Sequence, residues 1–126
     1  MSAVLDASAL LAYLHQEPGW EMVQSELAGA SIGAVNWCEV AHKAARNGLD
    51  VTRIRGLLQD MEMSIVAFTP EQAESAANLW STTRAYGLSL ADRACLALAL
   101  ERKRPVLTAD RVWSELDLEI DVRLIR

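Results

Sequence analysis

Short apolar runs alternate along this chain with longer stretches of helical periodicity. That alternation restricts the possible folds more than any other feature. Ala3-Val4-Leu5, Ser31 to Ala34, Ile65 to Phe68, Pro105 to Thr108 and Val122 to Ile125 have the length and composition of strands. Between them lie helical patterns over Ala7 to His15, Pro18 to Ala28, Asn36 to Asn47, Asp50 to Glu62, Thr69 to Tyr86 and Ser89 to Lys103, and a helical turn over Arg111 to Glu115. The punctuation agrees with this. Asn36, Asp50 and Ser89 stand at cap positions, Thr69-Pro70-Glu71-Gln72 opens a helix, and Gly48 and Gly87 close two others. Strands connected through helices predict an α/β fold: a narrow, mainly parallel sheet covered by helices. The 126 residues show no linker, repeat or low-complexity tract, so one domain over 1–126 is expected.

Composition narrows the function classes. The formal charge of −5 argues against a protein that grips nucleic acid by a surplus of Lys and Arg. Cys38 and Cys95 are too few for a disulfide framework, and their apolar helical contexts predict buried free thiols. His15 and His42 share no metal-ligand spacing with either cysteine and are expected at the surface or at an edge. The start of the chain lacks a basic, apolar signal pattern, and the apolar run Ala94 to Leu100 is far too short to span a bilayer. A cytoplasmic protein with no membrane partner is the expectation.

In open α/β sheets ligands bind beyond the carboxyl ends of the strands. Asp6 follows the first strand directly, and Asp110 follows the Pro105 to Thr108 strand after one residue. Glu39 lies in the first turn of the helix after Ser31 to Ala34, and Asp92 in the first turn of the helix capped by Ser89. Each acid also fits an ordinary cap. Asn36-x-x-Glu39 and Ser89-x-x-Asp92 match a loose capping box, and helix N-termini favour acids in any case. The surroundings of two of them point further. Asp6 sits in an apolar stretch, and Asp92 leads into a helix apolar on nearly all sides. Buried carboxylates require a partner, and few bases are close in sequence. An all-oxygen donor set suits Mg²⁺ or Mn²⁺ rather than zinc, and Mg²⁺ takes substrate phosphates as further ligands.

Four segments together resemble the PIN-domain family of ribonucleases, particularly toxins of the VapC type. They are Val4-Leu5-Asp6-Ala7-Ser8-Ala9-Leu10-Leu11-Ala12, Asn36-Trp37-Cys38-Glu39-Val40, Leu88-Ser89-Leu90-Ala91-Asp92-Arg93-Ala94-Cys95-Leu96-Ala97-Leu98-Ala99, and Val106-Leu107-Thr108-Ala109-Asp110-Arg111-Val112-Trp113. Each is weak alone; their order along nearly the whole chain makes the resemblance specific. It implies a three-layer α/β/α fold and a Mg²⁺- or Mn²⁺-dependent endoribonuclease. Asp6, Glu39, Asp92 and Asp110 would be its acidic quartet, with Asp6 and Asp92 the direct ligands and Glu39 and Asp110 often acting through water. It also implies a homodimer and a cognate VapB-type antitoxin lying across the active-site groove.

Other residues are open to two readings. Ser8 and Thr108 match hydroxyl positions that orient the metal shell or a phosphate, or they are local turn hydroxyls. Glu39, His42, Lys43 and Arg46 share a helical face; Lys43 and Arg46 hold a substrate phosphate or form a solvated salt-bridge face. Arg93, Arg111 and the Arg102-Lys103-Arg104 cluster are further candidates for RNA contact, with solvated surface as the alternative. Of the four tryptophans, those on helices are expected in the core or at an interface. The competing class is a non-catalytic PIN-fold interaction module whose acids only cap helices. Two other acidic α/β classes fit poorly. Ser8 stands where a haloacid-dehalogenase phosphatase needs a second Asp, and Ile65 to Phe68 lacks the strand-end Asp of a phospho-receiver domain. Without the quartet the formal charge falls from −5 to −1, so most of the acidity would belong to the site.

Overall fold

The computed structural model describes residues 2–126; Met1 of the expected domain lies outside the described residues. Five short strands, β1 (Val4–Leu5), β2 (Ser31–Gly33), β3 (Ser64–Val66), β4 (Val106–Thr108) and β5 (Val122–Leu124), form one sheet in the order β3-β2-β1-β4-β5. Every pairing is parallel. Parallel neighbours need long crossovers; helices supply them up to β4, and a segment with one 3₁₀ turn joins β4 to β5. The helices are α1 (Ala7–His15), α2 (Trp20–Glu26), α3 (Ala34–Arg46), α4 (Val51–Asp60), α5 (Pro70–Asn78), α6 (Trp80–Thr83) and α7 (Leu90–Arg102). Short 3₁₀ turns cover Arg84–Tyr86 and Arg111–Glu115.

Strand alternation divides the core in two. Leu5, Ile32 and Leu107 stand in register and pack with Leu10, Val23, Leu27, Val40 and Leu58 from the first four helices. Val4 and Val106 point to the other face, against Ala76, Leu96, Leu98 and Trp113. Successive side chains of a strand face opposite ways, so both residues of β1 are buried on different sides. The result is the expected three-layer α/β/α fold. α7 is buried from Ala94 to Ala99 and supports the sheet centrally. Among the described residues no helix is long and apolar enough to cross a membrane.

Several local expectations change. α3 begins at Ala34, straight out of β2, with Gly33 as its cap; Asn36 is therefore inside the helix and not its cap. α2 starts at Trp20 rather than Pro18, and β3 begins one residue before the expected Ile65 and ends at Val66 rather than Phe68. The long helix expected from Thr69 to Tyr86 keeps its start, where the Thr69 hydroxyl accepts from Gln72 N–H at 3.1 Å. It breaks after Asn78, and the buried Thr83 hydroxyl donates back to the Leu79 carbonyl at 2.7 Å. The same carbonyl also accepts from Thr83 N–H at 3.1 Å. Cys95 is buried, but Cys38 is exposed, because the polar face of α3 includes it.

The last strand is latched to the first loop. Gly19 has φ +94°, and a Cβ there would lie 2.3 Å from the Ile125 carbonyl oxygen. Only glycine permits that approach. Arg126 donates to the Pro18 carbonyl at 3.1 Å, and Ile125 N–H donates to the Thr108 carbonyl at 3.0 Å.

Candidate active site

Asp6 ends β1 and caps α1. Its backbone is extended, and its Oδ1 accepts from Ala9 N–H at 2.9 Å, satisfying one orphan donor of the first turn. The carboxylate is only 4% exposed and has two more donors. The Ser8 hydroxyl donates to Oδ1 at 2.7 Å, and the Thr108 hydroxyl to Oδ2 at 2.6 Å. Those hydroxyls are themselves fixed from β4: Ala109 N–H donates to Ser8 Oγ at 2.9 Å and Asp110 N–H to Thr108 Oγ1 at 3.0 Å. The ends of two adjacent strands are thus tied through one carboxylate. Ser8 and Thr108 spend their single protons on Asp6, which makes both more than local turn hydroxyls.

Burial raises the Asp6 pKa from 3.8 to about 6. The hydrogen bonds from Thr108, Ser8 and Ala9 oppose the rise, and the charge of Asp92 adds to it. Asp6 is consequently mostly ionised at neutral pH. Among the described residues no Lys or Arg pairs with it; the ion pairs formed are Arg123–Asp121 and Arg126–Glu17.

The other acids arrive from separate elements. Asp92 completes a capping box at the start of α7: its N–H donates to Ser89 Oγ at 3.1 Å, and its Oδ2 accepts from Ser89 N–H at 3.0 Å. Asp110 caps the 3₁₀ turn over Arg111–Glu115 by accepting from Val112 N–H at 3.1 Å. Capping therefore coexists with a place in the site, since each cap leaves carboxylate lone pairs free. Glu39 differs: it stands within α3, exposed, with a pKa raised first by burial and then by Asp92.

Asp6, Glu39, Asp92 and Asp110 line a single cavity of about 500 Å³. Ser8 shares its wall, and His42, Lys43 and Arg46 enter from the polar face of α3. Thr108 lies behind the wall, wholly buried. Two candidate bases are not brought in. Arg93 follows Asp92 in sequence, but the helix turns it toward α5, where its Nη1 donates to the Ala76 carbonyl at 2.9 Å. Arg111 is exposed and does not line the cavity. His42 is at the surface as expected, yet in the cavity wall.

Asn36 was hidden by its resemblance to a cap. Its Nδ2 donates to the Ala91 carbonyl at 3.0 Å and reaches Glu39 Oε1 at 3.5 Å, joining the Glu39 helix to the turn that carries Asp92. Its Oδ1 is buried without a hydrogen-bond partner. The Asn-Glu spacing of three was the available signal, read as capping rather than as a shared helical face. Cys95 lies beneath the acids with its Sγ 3.8 Å from the Leu5 carbonyl, and burial pushes its thiol well above the ordinary range.

Chemically, the cavity offers hard carboxylate oxygens together with the basic side chains of Lys43 and Arg46. A buried carboxylate without a basic partner, beside a second carboxylate whose charge it feels, fits a hard divalent cation. Among the described residues no three His, Cys, Asp or Glu side chains form a ready-made ligand cage.

Comparison with known proteins agrees with this architecture. The structure is similar to a toxin–antitoxin complex from Klebsiella pneumoniae, with a TM-score of 0.79, 20% identity, and 99% of this chain and 98% of that chain covered. DNA-bound VapBC from Salmonella typhimurium gives a TM-score of 0.74 at 13% identity, covering 100% and 99%. VapC20 from Mycobacterium tuberculosis, a sarcin-ricin loop cleaving toxin, gives 0.72 at 11% identity, covering 95% and 99%. At these identities the likeness is one of fold. No curated protein sequence matches the chain significantly. The PIN domain profile matches residues 3–119, from the residue before β1 to the loop before β5, and the chain therefore belongs to the PIN domain family.

Proposed function

We propose that the protein is a metal-dependent endoribonuclease, the VapC-type toxin of a toxin–antitoxin pair. One observation carries this reading: carboxylates from four separate elements line one cavity that Lys43 and Arg46 also line. Helix capping alone explains each acid but not their convergence. PIN-family membership supports nuclease chemistry in general, and the named toxin–antitoxin neighbours support the biological setting.

Asp6 and Asp92 would hold Mg²⁺ or Mn²⁺ directly, with Glu39 and Asp110 completing the set through solvent. Mg²⁺ keeps several waters and needs only one or two carboxylates as direct ligands. When bound, the cation neutralises phosphodiester charge and acidifies a water for hydrolysis. The chain's own residues do the rest. Ser8 and Thr108 fix the orientation of Asp6, Asn36 ties Glu39 to the Asp92 turn, and Lys43 and Arg46 attract the RNA backbone. A VapB-type antitoxin and a second copy of the chain are the proposed partners, in the cytoplasm.

The deciding experiment incubates purified protein with RNA, with Mg²⁺ or Mn²⁺ against EDTA, beside Asp92→Asn. Cleavage that needs the cation and is lost in the variant is expected. Cleavage surviving both EDTA and the substitution overturns the proposal. No cleavage, with no metal-dependent rise in Tm, favours the non-catalytic interaction module instead.

A further inference from the structure

The Arg102-Lys103-Arg104 run takes no part in the acid cavity. α7 ends at Arg102, and Lys103 adopts a left-handed conformation at φ 53°. Arg102 and Arg104 both line a second cavity of about 160 Å³, together with Ser2, Ser31 and Ser64. Ser31 opens β2 and Ser64 opens β3, and the two are paired in register. Registered residues of neighbouring strands lie on one face, about 4.8 Å apart. Ser31 is also in register with Val4, whose side chain faces α7.

The polar groups here are all donors in waiting. Arg102 Nη1 donates to Ser31 Oγ at 3.4 Å, and Arg104 Nη1 donates to Ser2 Oγ at 3.0 Å. Both serines therefore act as acceptors, and among the described residues none of the three hydroxyls has an acceptor for its own proton. No Asp or Glu lines the cavity, and neither arginine takes part in the described ion pairs. Cations near a helix C-terminus complement the macrodipole, which accounts for basic residues here but not for three serines gathered beside them. Two guanidinium groups with convergent hydroxyls match a tetrahedral oxyanion.

We propose that this cavity binds a phosphate group, free or in a nucleic-acid backbone, at the end of the sheet opposite the acids. Asp6 follows the carboxyl end of β1, whereas Ser31 and Ser64 begin their strands. Asp6 lies two residues beyond Val4, the register partner of Ser31, so at ~3.3 Å per residue the two sites are roughly 7 Å apart along the strands.

The test is thermal unfolding of the whole protein with inorganic phosphate at constant ionic strength, in EDTA so that the acid cavity cannot hold phosphate through a cation. A Tm rise of roughly 4 °C is expected at phosphate ten times above its Kd. The rise should vanish in Arg102→Gln/Arg104→Gln and persist in Asp92→Asn. Ser31→Ala/Ser64→Ala, which keeps both charges, should weaken phosphate binding at least fivefold and guards against misfolding of the arginine variant. Competition separates the sources. If a short RNA is displaced by phosphate from Asp92→Asn protein but not from the arginine variant, the site takes backbone phosphate; if RNA and phosphate bind independently, it takes the free ion. No phosphate-dependent shift in the wild type, or an equal shift in both cavity variants, overturns the proposal.

Discussion

Asp6 and Glu39 face the same cavity, but the chain holds them in opposite ways. Asp6 is buried at a strand end, gripped by three donors from two elements. Glu39 is exposed on the face of α3, with only the long contact from Asn36. Burial raises both carboxyls, but in Asp6 it does so against three stabilising hydrogen bonds. The contrast separates a fixed position from an adjustable one. An acid with no rotamer freedom suits a direct ligand, and one that can move suits work through solvent.

The sharpest way to break this contrast is cleavage. Asp6→Asn should lower single-turnover RNA cleavage by about 10³-fold or more, and Glu39→Gln by about 10- to 100-fold. Equal losses would erase the distinction. Next in size is a pH effect without metal. The fold raises the Asp6 pKa from 3.8 to about 6, so it favours the neutral acid. That contribution is full below about pH 4 and is lost as pH rises through about 6. Wild-type protein in EDTA should lose roughly 2 kcal/mol relative to Asp6→Asn between pH 4 and pH 7, read by urea unfolding. A constant difference across that range would contradict the burial argument.

Smaller effects probe the adjustable side. Asn36→Ala should cost about 1 kcal/mol of stability through the lost bond to Ala91. It should also move the acid limb of the cleavage profile upward, because the Asn36 hydrogen bond lowers the Glu39 pKa. An unchanged profile would make Asn36 merely structural. Smallest of all, Lys43→Gln should raise KM about threefold at constant kcat and flatten the salt dependence of RNA binding.

What the sequence revealed follows the same division. Strand-end acids were legible because an acid inside apolar runs such as Val4-Leu5-Asp6-Ala7 has few harmless explanations. The alternation of strands and helices foretold the parallel sheet for a similar reason: local pattern and global fold agree. Asn36 was illegible because Asn-x-x-Glu has the same spacing in a capping box and on a helix face. Its true role depends on α3 being capped three residues earlier, at Gly33, which follows from β2 running straight into it. Arg93 looked close to the chemistry because it adjoins Asp92, but one residue along a helix is a turn of 100°. The break after Asn78 has no Gly or Pro to announce it.

The latch between Gly19 and Ile125 has a consequence for partial chains. Ile125 holds the carbonyl of Thr108, the residue whose hydroxyl anchors Asp6. All four acids precede position 111, so a fragment ending before Val122 would carry every one of them. It would still lack the edge strand that steadies β4 and, through it, the Asp6 network. A chain stopped there would present the four acids without the contact that steadies the Thr108 backbone.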